Sequence, residues 1–274
     1  VVDEIVEVIK RVGPQTFEFV DSTFNAPPSH AIRLCEEIIR RKIEANFTAM
    51  GVNPIATSPE LFSAMKRAGF NSMMVTPESA SDTMLASYKK DFQMSKVYDT
   101  VRYIRESGIH STWFFMLGGP GETQETVNET IRFVETELAD NNMMSIFIVG
   151  IRIFSGTGVA RTALKEGWLK PDTDLSQPTF YISPHVSEDW MIQRINQAVQ
   201  KTPYVVLAAN EGQTFVELTM HRALRLVGAA PPYWRFLPVT LGNPVVHSLR
   251  KYHLKTKPYR AANGAKPSAC PRVS

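Results

Sequence analysis

Apolar and polar positions along residues 1–168 alternate between short unbroken apolar blocks and longer segments with a helical repeat. Unbroken apolar blocks are typical of strands that are buried in a parallel sheet. Segments with apolar residues at every third or fourth position are typical of amphipathic helices. The blocks recur at intervals of roughly thirty residues, which is the spacing of right-handed βαβ crossovers. The pattern predicts an α/β protein with strands near 16–20, 46–50, 72–76, 113–117 and 144–153.

Residues 110–138 contain the clearest of these units. An apolar block at Trp113–Leu117 runs into Gly118–Gly121, a Gly-Gly-Pro-Gly corner that cannot continue a strand. Thr123 offers a hydroxyl cap to the helix that follows, and Glu122 lies near the positive end of that helix. The pattern predicts a strand covered on both faces, a corner whose loop can hold the polar end of a ligand, and a helix.

The repeat stops near residue 168, which divides the chain into three regions. Residues 1–168 form the strand and helix repeat, for which an opened barrel and a doubly wound sheet both remain possible. Residues 169–254 are predicted to be a mostly helical extension, with a long loop and helices near 190–199 and 215–227. Residues 255–274 are predicted to be a flexible basic tail.

Composition excludes several classes of protein. The chain has 274 residues, of which 43% are hydrophobic and 21% charged, so it is globular and not disordered. Residues 241–274 hold seven Lys or Arg and no acidic residue, which leaves 23 basic against 27 acidic residues elsewhere. A mildly acidic body gives no electrostatic footprint for nucleic acid. No apolar run is long enough for a membrane span, and no signal peptide is visible.

The two cysteines, Cys35 and Cys270, are too few for a disulfide framework, which makes a reducing cytoplasm the expected location. The six histidines show no metal-ligand spacing. The chain opens at Val1 with a helical apolar pattern already under way and no cap residue before it. This start predicts that the sequence is a piece of a longer polypeptide.

Polar residues follow the predicted strands where ligands of parallel α/β proteins usually bind. Glu78, between a buried strand and a helix start, is as well explained by capping as by ligand contact. Lys90 fits a solvated helix end better than a ligand clamp. Arg152 within an apolar strand requires a partner, which can be Glu78, another acid or a substrate. From the residues alone, a nucleotide or phosphate site at Gly118–Gly121 and an inert scaffold both remain possible.

Five ordered segments resemble the radical S-adenosylmethionine (SAM) superfamily. They read FVDSTFNAPPSHA, FTAMGVNP, PESASDTMLASYKK, FFMLGGPGET and IRIFSGTGVARTALKEG. The resemblance covers residues 1–168 and is strongest to the branch that often carries an upstream cobalamin-binding domain. It implies a partial (β/α)6 barrel of which five strands are present and the first is missing.

The resemblance also implies a chemistry. Members of the family reduce SAM to methionine and a 5′-deoxyadenosyl radical, which abstracts hydrogen from a small-molecule substrate. A [4Fe-4S] cluster on a C-x-x-x-C-x-x-C loop and a reductant protein such as flavodoxin or ferredoxin take part, and cobalamin does so where its domain is present. That cysteine loop is not in this sequence, so we expect the parent protein to be the Fe-S enzyme and this fragment to be inactive.

The resemblance implies cofactor contacts but no catalytic or metal-ligating residue in this chain. Asp21 and Thr23 stand where the family usually binds the SAM amino group through Gly-Gly-Glu, and Phe114 where some relatives carry a ribose-binding acid. Lys90 matches a basic position that pairs with the SAM carboxylate. The expected SAM-binding set is Asp21, Thr23, Glu78, Ser79, Lys90, Gly118, Gly119 and Arg152.

Overall fold

A six-stranded parallel sheet is the framework of the protein. The structure, a computed structural model, describes residues 1–202, 204–208, 219, 222–224, 226–229 and 231–236. Five strands follow the sequence prediction in order, and they are β1 Thr16–Phe19, β2 Asn46–Val52, β3 Phe70–Glu78, β4 His110–Leu117 and β5 Met143–Val149. The sixth strand is β8 Val205–Leu207. All neighbouring pairs are parallel, in the order β1-β2-β3-β4-β5-β8.

Two features of the sheet differ from the prediction. Strand β8, Val205–Leu207, extends the sheet from the region for which only loop and helices were predicted. The predicted strand 144–153 is divided, because Gly150 adopts a left-handed backbone (φ 86°) that an extended strand cannot contain. After this turn, β6 Ile151–Arg152 pairs antiparallel with β7 Phe180–Tyr181 in a separate two-stranded sheet.

Helices connect the parallel strands. Their bounds are α1 Val2–Val12, α2 Pro28–Arg40, α3 Pro59–Ala68, α4 Asp82–Ser87, α5 Met94–Ser107, α6 Gln124–Glu137, α7 Gly158–Lys165 and α8 Glu188–Lys201. The predicted cap of α6 is confirmed, because Thr123 Oγ1 accepts the Thr126 N–H at 3.3 Å. Ser58 caps α3 in the same way, with Pro59 in the first helical position.

The core lies on one face of the sheet. Trp113, Phe115 and Leu117 of β4 are fully buried, and helices α1–α6 and α8 contribute to the same apolar cluster. Phe114 and Met116, which point to the other face by the two-residue period of a strand, are only half-buried. The face of β4 that carries Phe114 and Met116 is thus covered less completely than the core face. Helices gathered on one face favour the opened barrel over the doubly wound sheet, which needs helices on both.

The C-terminal region is described only in part. Residues 219, 222–224 and 226 of the predicted helix 215–227 are helical, and residue 227 lies in a turn. The other positions of that helix and the predicted tail 255–274 lie outside the described residues. A 3-10 helix at Tyr233–Phe236 is the last described element. Within the described parts of the chain, no helix has both the length and the apolar character needed to cross a membrane.

Candidate functional site

Parallel strands bring the carboxyl ends of β1, β2, β3, β4, β5 and β8 to one edge of the sheet. Glu78 ends β3 with a left-handed backbone (φ 69°), which is uncommon for any residue other than glycine. The register between β3 and β4 shifts just before it, so that Glu78 lies opposite Phe115. This irregular strand end is the first sign of a specialised site.

Glu78 forms a half-buried ion pair with Lys90, which lies three residues after the end of α4. Lys90 Nζ donates to Glu78 Oε1 at 3.2 Å, and the two side chains are 21% and 18% exposed. Burial raises the pKa of Glu78 above its ordinary value, while the charge and hydrogen bond of Lys90 act in the opposite direction. Lys90 is therefore not a solvated helix end, and the partner of Glu78 is Lys90.

Ser79 anchors the loop after Glu78 to α6. It is fully buried, and its hydroxyl lies 3.2 Å from Thr130 Oγ1 on α6. The same hydroxyl accepts the N–H of Ser81, and Thr130 Oγ1 accepts the N–H of Ala80. Because its hydrogen bonds lie within the protein, Ser79 fixes the loop that carries Glu78 in this structure.

The glycine corner after β4 packs against a tyrosine. Gly118 has a left-handed backbone (φ 94°), which only glycine adopts without strain. A Cβ at Gly119 would lie 2.6 Å from Cζ of Tyr88, and closer still to Cε1 and the hydroxyl. Tyr88 follows α4 directly, and its hydroxyl donates to the Met116 carbonyl at 3.1 Å. The missing side chain of Gly119 therefore makes room for Tyr88.

Glu122 is a site residue that the sequence did not reveal. Its side chain is fully buried, although the sequence prediction placed it at an ordinary helix start. Thr126 Oγ1 donates to its carboxylate at 2.6 Å, the Gly118 N–H at 3.3 Å and the Tyr88 hydroxyl at 3.4 Å. Burial raises the pKa of Glu122, and these hydrogen bonds to the charged form oppose the shift. The carboxylate holds the corner, α6 and Tyr88 together.

The loop after β1 is tied to the end of β2. Asn25 is fully buried and exchanges two hydrogen bonds with the backbone of Asn53, at 2.8 and 2.9 Å. Gly51 allows the loop to pack closely against β2, because a Cβ at this position would lie 2.6 Å from the Ser22 carbonyl oxygen. On this loop Asp21 is exposed and Thr23 half-buried, two strands away from β3.

Arg152 is placed differently from the expectation. It belongs to the small β6-β7 sheet, its side chain is exposed, and its guanidinium lies 4.8 Å from the centre of the Phe154 ring. The expectation of a buried arginine that needs an ionic partner was therefore wrong, because the apolar run ends at Gly150. The structure thus joins Glu78, Lys90, Gly118 and Gly119 around Tyr88 and Glu122, and places Asp21, Thr23 and Arg152 at other strand ends.

The residues present fit SAM but not an iron-sulfur cluster. Cys35 is fully buried on α2, and burial raises the pKa of its thiol to about 12, so it is a packing residue. No group of three or more His, Cys, Asp or Glu in the described residues is placed to hold a metal. A carboxylate, an ammonium group and a glycine corner at one strand edge do suit the charged amino-acid end and the adenosyl group of SAM.

Two curated proteins are similar to this chain in part of their sequences. Over 136 residues the chain is 29% identical to an uncharacterized methyltransferase of Pyrococcus horikoshii and 28% identical to an anaerobic magnesium-protoporphyrin IX monomethyl ester cyclase of Cereibacter sphaeroides. These matches cover 49% and 48% of this chain, but only 29% and 22% of those relatives. The chain is thus similar to a limited part of each.

Solved structures show the same fold. The radical SAM methyltransferase TsrM from Kitasatospora setae, with cobalamin and a [4Fe-4S] cluster bound, superposes with a TM-score of 0.71 at 18% identity. The alignment covers 92% of this chain and 55% of TsrM. The cobalamin-dependent SAM radical enzyme OxsB aligns over 95% of this chain and 43% of its own, with a TM-score of 0.56 and 14% identity. Residues 1–134, just under half of the chain, match the model of the Radical SAM superfamily.

Proposed function

We propose that the polypeptide containing this chain binds SAM at the carboxyl edge of the sheet and cleaves it reductively. The observation that carries the proposal is the half-buried Glu78–Lys90 pair beside the glycine corner. The methionyl end of SAM carries one ammonium and one carboxylate, so it can bind Glu78 through the first and Lys90 through the second. Charge-assisted bonds of this kind are the strong ones in a partly desolvated site.

The remaining contacts follow from the positions of the strand ends. Gly118 and Gly119 form the adenine side of the site, and Asp21 and Thr23 approach the amino group from the end of β1. Arg152 reaches SAM or the substrate from the β6-β7 sheet. Ser79 acts by holding Glu78, since its hydroxyl is engaged with Thr130 and Ser81.

The cluster ligands belong to residues outside these 274. Reductive cleavage of SAM gives methionine and a 5′-deoxyadenosyl radical, and it requires an electron from a [4Fe-4S] cluster with three cysteine ligands. This sequence has two cysteines, of which Cys35 is buried, so the chain by itself should be inactive. We propose a methyltransferase-like or other oxidoreductase activity on a small molecule in the cytoplasm, with a flavodoxin or ferredoxin as reductant. Cobalamin takes part if an additional domain binds it.

A nucleotide or phosphate site at Gly118–Gly121 is the alternative, and two observations weigh against it. The Gly118 N–H, which would cradle a phosphate, already donates to Glu122. The Glu122 carboxylate is also fully buried at the corner, where its negative charge would repel a phosphate. Tight nucleotide binding by this chain alone would nevertheless favour that alternative.

The proposal is tested by extending the chain at its amino end to include a cysteine loop and reconstituting the protein with iron and sulfide. We expect a cluster to form, and SAM to give methionine and 5′-deoxyadenosine under reducing conditions. A cluster that forms without any SAM cleavage would refute the proposed activity. The chain without the extension is the matched control and should show little or no change in melting temperature with SAM.

A further inference from the structure

The face of the sheet opposite the core carries a half-buried apolar surface that the core cluster of the described residues does not include. We call the residues Met74, Phe114, Met116, Met144, Ile146 and Ile148 the open face. Each is half-buried, and each alternates along its strand with residues that are buried in the core. None of them belongs to the apolar core cluster or to the residues that pack against it. The open face is therefore available to a ligand.

The strand register arranges this face in rows. Met116 pairs with Ile148, Phe114 with Ile146, and Thr112 joins Met74 to Met144. Val206 of β8 extends the row of Phe114 and Ile146. No charged residue occurs in these three rows, and Thr112 is the one polar residue in them.

The next row toward the amino ends of the strands is polar. Its register joins Glu18 to Thr48, Thr48 to Ser72, and Ser72 to His110. Ser72 Oγ donates to Thr48 Oγ1 at 2.9 Å, so the hydroxyl groups of the two middle strands are linked. The open face thus changes from apolar at the carboxyl edge to polar at the amino edge.

The last described element, the 3-10 helix Tyr233–Phe236, covers the amino edge at the start of β4. The Trp234 ring meets the His110 ring edge-on, with centroids 5.8 Å apart, and also meets the Tyr204 ring at 6.0 Å. Arg235 Nη1 lies 3.5 Å from His110 Nε2. A ligand therefore reaches the open face from the carboxyl edge, where the proposed SAM site lies.

From these features we infer that the substrate is an uncharged apolar ring body that rests on the open face, with any polar end directed toward the Thr48–Ser72 row. Apolar surface gains free energy when such a body covers it. A charged group in the same place would lose its hydration without finding a partner. Methionine side chains adapt to ring faces and contact them favourably. This inference rests on the proposed function only for the statement that the occupant is the substrate.

The test uses N-phenyl-1-naphthylamine, an uncharged probe whose fluorescence rises in apolar surroundings. We expect saturable binding to this chain, weakened about fivefold by Ile146→Thr, since that change replaces an apolar ethyl group with a hydroxyl. The matched control is Ile55→Thr, an exposed isoleucine in the 3-10 helix Pro54–Ala56, which should leave the affinity within about twofold. Equal loss in both variants, or no loss in either, would overturn the inference.

A second arm needs no variant. Neutral 1-naphthol and anionic 1-naphthalenesulfonate share a ring system, and we expect the naphthol to displace the probe at about tenfold lower concentration. Equal displacement would show that the surface does not select against charge. If the longer polypeptide lost the probe site that this chain has, a segment of that polypeptide would cover the face, and the substrate assignment would be wrong. Neither arm involves SAM, so a failure to cleave SAM is distinguishable from a failure here.

Discussion

Replacing Gly119 by alanine should destabilise the protein through Tyr88. The added Cβ would lie 2.6 Å from Cζ of Tyr88, so the ring must move. Tyr88 is anchored by hydrogen bonds to the Met116 carbonyl and to Glu122, and it cannot turn away without losing them. Overpacking costs about 1–3 kcal/mol, and the lost hydrogen bonds add about 1 kcal/mol. We therefore expect the free energy of unfolding to fall by roughly 2–4 kcal/mol.

Urea denaturation, followed by circular dichroism, measures this loss as a lower transition midpoint. The matched control is Gly158→Ala at the first position of α7, where the nearest atom to a new Cβ is a side-chain nitrogen of Arg161 at 3.9 Å. That variant should be neutral or stabilised by up to about 1 kcal/mol. In a Tyr88→Ala background, Gly119→Ala should cost much less, because the clash is gone. A Gly119→Ala midpoint equal to that of the control would refute the contact.

Two further predictions concern charged residues of the site. Burial raises the pKa of Glu122 above its ordinary value of 4.5, so the folded state binds this proton more tightly than the unfolded state. The stability that Glu122 contributes is then greatest below pH 4.5 and is lost as the pH rises through the raised pKa. The free energy of unfolding of the wild type minus that of Glu122→Gln should therefore decline over this pH range. A difference that stays constant with pH would contradict the prediction. In the reconstituted longer polypeptide, Lys90→Ala should weaken SAM binding by about 1.5–3 kcal/mol. The control Lys96→Ala, on the exposed side of α5, should leave SAM binding unchanged. If equilibrium dialysis gave the two variants equal affinities for SAM, Lys90 would not belong to the site.

The repeating units of the fold are readable from the sequence because each one is set locally. Apolar blocks, glycine stops and hydroxyl caps act within a few residues, and the structure has the predicted cap at Thr123. Strand β8 was missed because three residues are too few for a recognisable pattern. Its place in the sheet depends on pairing with β5, a contact between residues about sixty positions apart.

The sequence predicted several residues of the candidate site but not the contacts between them. Strand ends pointed to Glu78 and Gly118, and the family resemblance to Lys90. The Tyr88–Gly119–Glu122 contact could not be foreseen, because it joins α4 to the corner after β4 across more than thirty residues. Glu122 looked like an ordinary acidic residue near a helix start, and only its complete burial distinguishes it.

Hydrogen–deuterium exchange on the reconstituted longer polypeptide, with and without SAM, tests the location of the cofactor site most directly. We expect SAM to slow amide exchange in residues 78–90 and 117–122, the segments that carry the Glu78–Lys90 pair and the glycine corner. Exchange in α1, which leads into the amino end of β1 and so lies away from the carboxyl edge, should not change. Slowed exchange elsewhere, with these two segments unaffected while SAM binds, would contradict the proposed site.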